Sequence, residues 1–209
     1  MKKINVYVSM RSSDSPTYLE RRDAISHDWI KFYESNLIIP ILVPNAFDKI
    51  EKFLNNFPAK GLILTNGDDI EKNMKRKNTE NRLIRYSIKK NIPIFGFCRG
   101  LQMINYYFGG SVKRIEKNSH SDKTQKIDII DNLYNSIKYK NFTTKCYHDY
   151  AITEKTLSKS LIPFAISKDG YVEGAYHKSL PIIGVQWHPE RQKRKINNII
   201  LNHWKKLCT

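Results

Sequence analysis

The feature that most constrains this chain is an alternation. Over its first half, apolar runs of strand length are separated by stretches with helical periodicity. Residues 4–9 (INVYVS) read as a strand. Residues 18–35 follow with Leu19, Ala24, Ile25, Trp29, Phe32 and Tyr33 recurring at helical spacing. Residues 38–43 form a second strand candidate despite Pro40, and residues 48–55 a short helix. Residues 61–64 read as a third strand that ends in the turn cluster Thr65-Asn66-Gly67-Asp68-Asp69. Residues 81–91 read as a helix carrying Leu83, Ile84 and Ile88, and residues 92–97 as a fourth strand. Helical character resumes at once over 99–107. This repeated β-α order predicts a parallel sheet flanked by helices.

The second half reads differently. Strand candidates crowd together at 112–115, 125–130, 142–147, 162–167, 171–176 and 182–186, before a closing helix at 191–207 with Ile196, Ile199, Ile200, Trp204 and Leu207 on one face. The polar, basic stretch 71–79 (EKNMKRKNT) is expected to be a loop beside the end of the third strand.

A chain of 209 residues is of single-domain size, and one domain spanning 1–209 is expected. Its 40 % hydrophobic and 27 % charged content is ordinary for a globular protein, which argues against disorder or a disulfide scaffold. The longest apolar run, residues 37–43, is too short to span a bilayer. The N-terminus shows no secretory signal. Three cysteines, Cys98, Cys146 and Cys208, are then expected as free thiols in a reducing cytoplasm. The net charge of +16 admits a polyanionic partner. However, 26 Lys, 27 Ile and 18 Asn indicate compositional bias, and the basic residues are scattered rather than striped. No specific nucleic acid and no membrane partner are expected.

Chemistry concentrates at Gly96-Phe97-Cys98-Arg99-Gly100. A strand runs directly into a helix with Cys98 at the joint, and glycines stand two residues to either side. This is the spacing of a nucleophile elbow, whose sharp turn needs small neighbours. The following helix aims its positive N-terminus at the thiol, which favours thiolate and oxyanion. A cysteine nucleophile needs a base, and the base needs an orienting acceptor. Gly184-Val185-Gln186-Trp187-His188-Pro189-Glu190 supplies candidates for both, since an apolar strand delivers His188 just beyond its end and Glu190 follows two residues later.

These two motifs, about 90 residues apart, resemble those of class I glutamine amidotransferase domains, and within them the γ-glutamyl hydrolase subgroup (peptidase C26). The resemblance implies a three-layer, flavodoxin-like sandwich with a central, mostly parallel sheet. The elbow would follow the fourth strand, with smaller antiparallel strands in the second half. It implies Cys98, His188 and Glu190 as catalytic residues, and backbone N–H groups of Gly67 and Arg99 as an oxyanion hole. Asn66 stands where the family has the first of two glycines. Gln102, His148, Arg76 and Glu173 correspond more loosely to substrate-binding positions. The chain departs from the family at Lys77, where Asp is usual, and at His148-Asp149-Tyr150-Ala151, where His-His-Gln-Ala is common.

The implied reaction is hydrolysis of a γ-glutamyl amide through a thioester on Cys98, with no cofactor and no metal; no His, Cys or Asp cluster at metal-ligand spacing is visible. The span from the first strand to Thr209 is read as leaving no room for a synthase domain, and the Cys98-Arg99-Gly100 and Trp187-His188 pairings resemble free-standing hydrolases. The basic residues Lys72, Lys75, Arg76, Lys77, Arg82 and Arg85 are expected near the pocket mouth, where a phosphate-bearing or nucleotide-linked γ-glutamyl small molecule would suit them. The alternatives are a glutaminase that feeds ammonia to a separate synthase, and a non-catalytic regulatory relative. No role is assigned to Cys146 or Cys208 beyond packing.

Overall fold

The computed structural model describes residues 3–115, 120–133 and 136–208. Met1, Lys2 and Thr209 lie outside them. The first half forms β1 (Ile4–Ser9), β2 (Arg11–Asp14), β3 (Arg21–Ala24), α1 (His27–Ser35), β4 (Ile38–Val43), α2 (Ile50–Asn56), β5 (Gly61–Leu64), α3 (Met74–Lys89), β6 (Ile94–Phe97) and α4 (Arg99–Tyr107). The second half forms β7 (Lys113–Arg114), β8 (Ser121–Ile129), β9 (Asn141–Tyr147), β10 (Tyr150–Thr153), β11 (Leu161–Ser167), β12 (Tyr171–His177) and β13 (Ile182–Val185), and closes with α5 (Lys195–Leu207).

Among the described residues, eleven strands join one sheet whose main path runs β4-β1-β5-β6-β13-β12-β11-β8-β9. The first five run parallel. By chain position their order is 2-1-3-4-5, that of a flavodoxin-like α/β sheet. From β12 onward the pairing is antiparallel, so the strand-rich second half extends the same sheet. Pro40 sits in β4, the edge strand, where a missing N–H does least harm.

Strand alternation divides the interior into two layers. Val6, Val8, Ile63, Phe95, Phe97, Ile183 and Val185 face α1 and α5 through Trp29, Phe32, Ile200 and Trp204. Tyr7, Leu62, Leu64, Ile94 and Ile182 face α2, α3 and α4 through Leu54, Leu83, Ile84, Leu101 and Ile104. Because β5, β6 and β13 are covered on both faces, every residue in them is buried.

Two segments depart from the sequence reading. The helix expected over 18–35 begins only at His27; ahead of it β2 and β3 form a hairpin, at whose tip Leu19 is fully exposed. Polar anchoring decides this. Asp23 accepts from the Asn45 backbone N–H at 2.7 Å, from Asn45 Nδ2 at 2.7 Å and from Ser12 Oγ at 3.1 Å. The loop expected over 71–79 is instead largely helix. Asn73 caps α3 by accepting from Arg76 N–H at 3.1 Å, and the buried face of its first turns is Arg76, Lys77, Thr79 and Glu80. A face buried through ion pairs carries no apolar periodicity.

Candidate active site

The strand order reverses between β1 and β5, the usual ligand position in an open α/β sheet, and the C-terminal ends of the parallel strands β6 and β13 lie along the same edge beside it. Cys98 stands there between β6 and α4 with φ 51° and ψ −105°, a strained conformation for a non-glycine residue. The glycines make the turn possible. A Cβ on Gly100 would lie 2.2 Å from the Leu64 carbonyl oxygen, and one on Gly96 would lie 2.6 Å from the Gly100 carbonyl carbon.

His188 and Glu190 meet this elbow. Glu190 Oε1 lies 2.7 Å from His188 Nδ1. A carboxylate only accepts, so Nδ1 carries the hydrogen and Nε2 is the proton-exchanging nitrogen. Burial raises the Cys98 thiol, but the charge and hydrogen bond of His188 together with the charge of His148 more than offset this and hold it below the ordinary value. Burial works against His188 as well, yet the Cys98 thiolate and the Glu190 carboxylate push it up to about 10. The arrangement favours a thiolate–imidazolium pair. Gln186 Nε2 lies 3.5 Å from Cys98 Sγ.

Asn66, in sequence only a replacement for a glycine, has a role of its own in the fold. Its Nδ2 donates to Glu190 Oε1 at 2.8 Å, and its Oδ1 accepts from Trp29 Nε1 at 3.2 Å. It therefore locks the carboxylate that locks the imidazole. No sequence spacing links positions 29, 66 and 190, so this contact is legible only in the fold.

The turn after β5 presents Gly67 at φ +108°, a conformation suited to glycine. Arg76 fixes that turn from behind: its Nη2 donates to the carbonyls of Thr65 at 2.9 Å and Asn66 at 3.0 Å. Arg76 Nε pairs with Glu80 at 2.9 Å, and Glu80 also pairs with the Arg99 guanidinium. Burial would raise Glu80, but Arg99 and Arg76 more than offset it. Gly67 and Arg99, the residues expected to offer oxyanion N–H groups, thus adjoin one buried ion network.

A cavity of about 520 Å³ opens over Cys98, with Gly67, Arg99, Gln102 and His148 in its wall. Gln102 and His148 are thus placed as the sequence leads one to expect. Arg76 and Glu173 are not: both side chains are fully buried, Arg76 behind the Gly67 turn and Glu173 against His120 and His148. The basic segment is also redistributed. Lys72 lines the cavity, but Lys77 pairs with Glu71 and covers the Tyr106 ring, while Arg82 and Arg85 pair with Glu51. The other cations at the rim, Arg21 and Arg114, come from β3 and β7 and are accompanied by Asp14, Asp69 and Asp149.

The sequence profile described as glutamine amidotransferase class-I matches residues 30–206. The chain belongs to the class-I glutamine amidotransferase family. Among its relatives, a γ-glutamyl-CDP-amidate hydrolase of Campylobacter jejuni is 26 % identical, over 94 % of this chain and 95 % of that one. A glutamine-hydrolyzing GMP synthase subunit of Methanocaldococcus jannaschii is 32 % identical, over 80 % of this chain and 83 % of that one. A crystal structure from Thermoplasma acidophilum, described as a candidate GMP synthase subunit, superposes with a TM-score of 0.75 over 100 % of this chain and 95 % of that one, at 23 % identity. Among the described residues, no helix is long and apolar enough to cross a membrane.

Proposed function

We propose that the chain, acting as one amidotransferase-type domain, is a cysteine-dependent hydrolase of a γ-glutamyl amide. The observation that carries this reading is the strained Cys98 elbow facing the His188–Glu190 pair at the floor of a polar cavity. The Cys98 thiolate attacks the γ-carbonyl carbon. A C–S bond forms, and the carbonyl π pair moves to oxygen, where the N–H groups of Gly67 and Arg99 receive it. As the tetrahedral species collapses, the C–N bond breaks and His188 gives its proton to the leaving nitrogen. Water then attacks the thioester carbonyl and His188 takes its proton. Glutamate leaves and the thiolate returns. Glu190 and Asn66 hold the imidazole in one tautomer throughout.

The cavity suits a charged, amphoteric substrate, since Arg21, Lys72 and Arg114 line it together with Asp14, Asp68, Asp69 and Asp149. Among relatives, the Campylobacter hydrolase covers nearly the whole chain. Both support a nucleotide-linked γ-glutamyl conjugate of the γ-glutamyl-CDP-amidate kind as substrate. The second reading, a glutaminase that feeds ammonia to a separate synthase, is favoured by the 32 % identity to the Methanocaldococcus GMP synthase subunit.

Glutamate release by the purified chain separates the two. The panel is L-glutamine, γ-glutamyl amines, γ-glutamyl peptides and nucleotide-linked γ-glutamyl amidates, with Cys98→Ala as control. Fast, Cys98-dependent turnover of a nucleotide-linked conjugate over glutamine is expected. Preference for glutamine, or feeble activity until a synthase is added, would favour the glutaminase reading. No turnover under any condition would indicate a non-catalytic relative.

A further inference from the structure

Beside the nucleophile the fold assembles a group of side chains that the hydrolytic mechanism does not use. His120 precedes β8, Cys146 lies in β9, His148 follows β9, and Glu173 lies in β12. All four are buried, and one ligand atom from each lies within 4.8 Å of all the others. The sequence showed no metal-ligand spacing because these residues are spread from 120 to 173 and meet only through strand pairing.

Their hydrogen bonds fix which atoms face inward. His148 Nδ1 donates to the Tyr150 carbonyl oxygen at 3.0 Å, which leaves Nε2 turned toward Glu173. His120 Nε2 is 3.0 Å from Asp169 Oδ2, so its Nδ1 is the ring nitrogen turned toward Glu173. Both of these nitrogens face Glu173 Oε1, at 3.7 Å from His120 Nδ1 and 3.5 Å from His148 Nε2. His120 Nδ1, His148 Nε2 and both Glu173 oxygens have no hydrogen-bond partner among the described residues. Two imidazole nitrogens and a carboxylate thus converge with the Cys146 sulfur beside them, each group a common metal ligand. A carboxylate buried in this way is unfavourable unless a positive charge joins it.

A tetrahedral zinc ion with bonds of about 2.0–2.3 Å separates its ligand atoms by about 3.3–3.7 Å, the spacing seen between Glu173 and the two histidines. Imidazole, thiolate and carboxylate are zinc's usual donors. The outer contacts fit as well, because a metal-bound histidine ordinarily donates its second N–H to a carboxylate or a backbone carbonyl. Asp169 and the Tyr150 carbonyl supply one of each.

We propose that His120 Nδ1, Cys146 Sγ, His148 Nε2 and the Glu173 carboxylate form a binding site for Zn²⁺. Cys146 coordinates as thiolate, its proton passing to solvent. Since His148 also lines the substrate cavity, the site abuts the nucleophile without including it.

The test is metal binding to the full chain, and it does not depend on activity. Zn²⁺ is titrated in competition with a colorimetric chelator, and Co²⁺ is added as a spectroscopic probe. Expected are one tight equivalent of Zn²⁺, intense visible bands of tetrahedral Co²⁺, and a thiolate-to-cobalt charge-transfer band that survives Cys98→Ser and vanishes in Cys146→Ser. Asp169→Asn alters a half-exposed side chain, so it does not threaten folding; it is expected to weaken Zn²⁺ about 10–100-fold. Failure of the wild-type chain to compete for Zn²⁺ would overturn the proposal. So would a charge-transfer band that follows Cys98 instead of Cys146, or an affinity unmoved by Asp169→Asn.

Discussion

Asn66→Ala isolates the contact that the sequence concealed. In the native site two donors, His188 Nδ1–H and Asn66 Nδ2–H, converge on Glu190 Oε1 at 2.7 and 2.8 Å. A hydrogen bond to a charged group is worth about 1.5–3 kcal/mol. Without Asn66 the carboxylate keeps only His188 and the longer contact to Arg191 Nε at 3.7 Å, and the imidazolium loses part of its fixed aim when the leaving nitrogen must be protonated. If that energy is expressed at the transition state, about 1.36 kcal/mol per tenfold gives a loss of about 10- to 150-fold in kcat. KM should change little, because Asn66 lies behind the imidazole rather than in the cavity wall. Trp29 Nε1 also loses its acceptor, so the melting temperature should fall by a few degrees. Asn66→Asp, isosteric but with an acceptor facing Glu190, should be slower still. Steady-state glutamate release with a melting control measures all three. An Asn66→Ala enzyme within about twofold of wild type in kcat would refute the orienting role.

Iodoacetamide alkylation of Cys98 should persist below the ordinary thiol pH range, because His188 lowers the thiol's pKa; in His188→Ala only the weaker influence of His148 opposes burial, and the profile should move to higher pH than in wild type. Arg114→Glu and Lys72→Glu should each raise KM for a phosphate-bearing γ-glutamyl substrate while sparing a plain γ-glutamyl amine; equal effects on both substrates would remove these side chains from phosphate recognition. Gly100→Ala must push its Cβ away from the Leu64 carbonyl, and overpacking of this kind costs about 1–3 kcal/mol, so thermal melting should shift down by several degrees and turnover should collapse with the elbow geometry.

Much of this architecture is legible in the sequence because it is written locally. The runs at 4–9, 38–43 and 61–64 coincide with β1, β4 and β5, and 99–107 coincides with α4. The elbow and the His188–Glu190 pair lie within single short motifs, so spacing alone reveals them. What the sequence hides depends on polar tertiary contacts. The start of α3 is hidden because Arg76 and Glu80 are buried by charge pairing and not by apolarity. The hairpin of β2 and β3 is hidden because Asp23 anchors it to Asn45, twenty-two residues onward. Resemblance assigns Arg76 and Glu173 to the substrate, yet burial places both behind the cavity wall, where Arg76 shapes the Gly67 turn and Glu173 faces two histidines. Asn66 and the group around His148 depend on residues far apart in the chain, a relation that one sequence does not display.

The proposed hydrolysis stands on covalent acylation of Cys98. Wild-type protein mixed with a nucleotide-linked γ-glutamyl amidate, quenched in acid and digested, should yield a γ-glutamyl thioester on the peptide that carries Cys98, as read by mass spectrometry. His188→Ala should accumulate less of it, because protonation of the leaving nitrogen fails. Turnover with no adduct on Cys98, or glutamate release that survives Cys98→Ala, would contradict it.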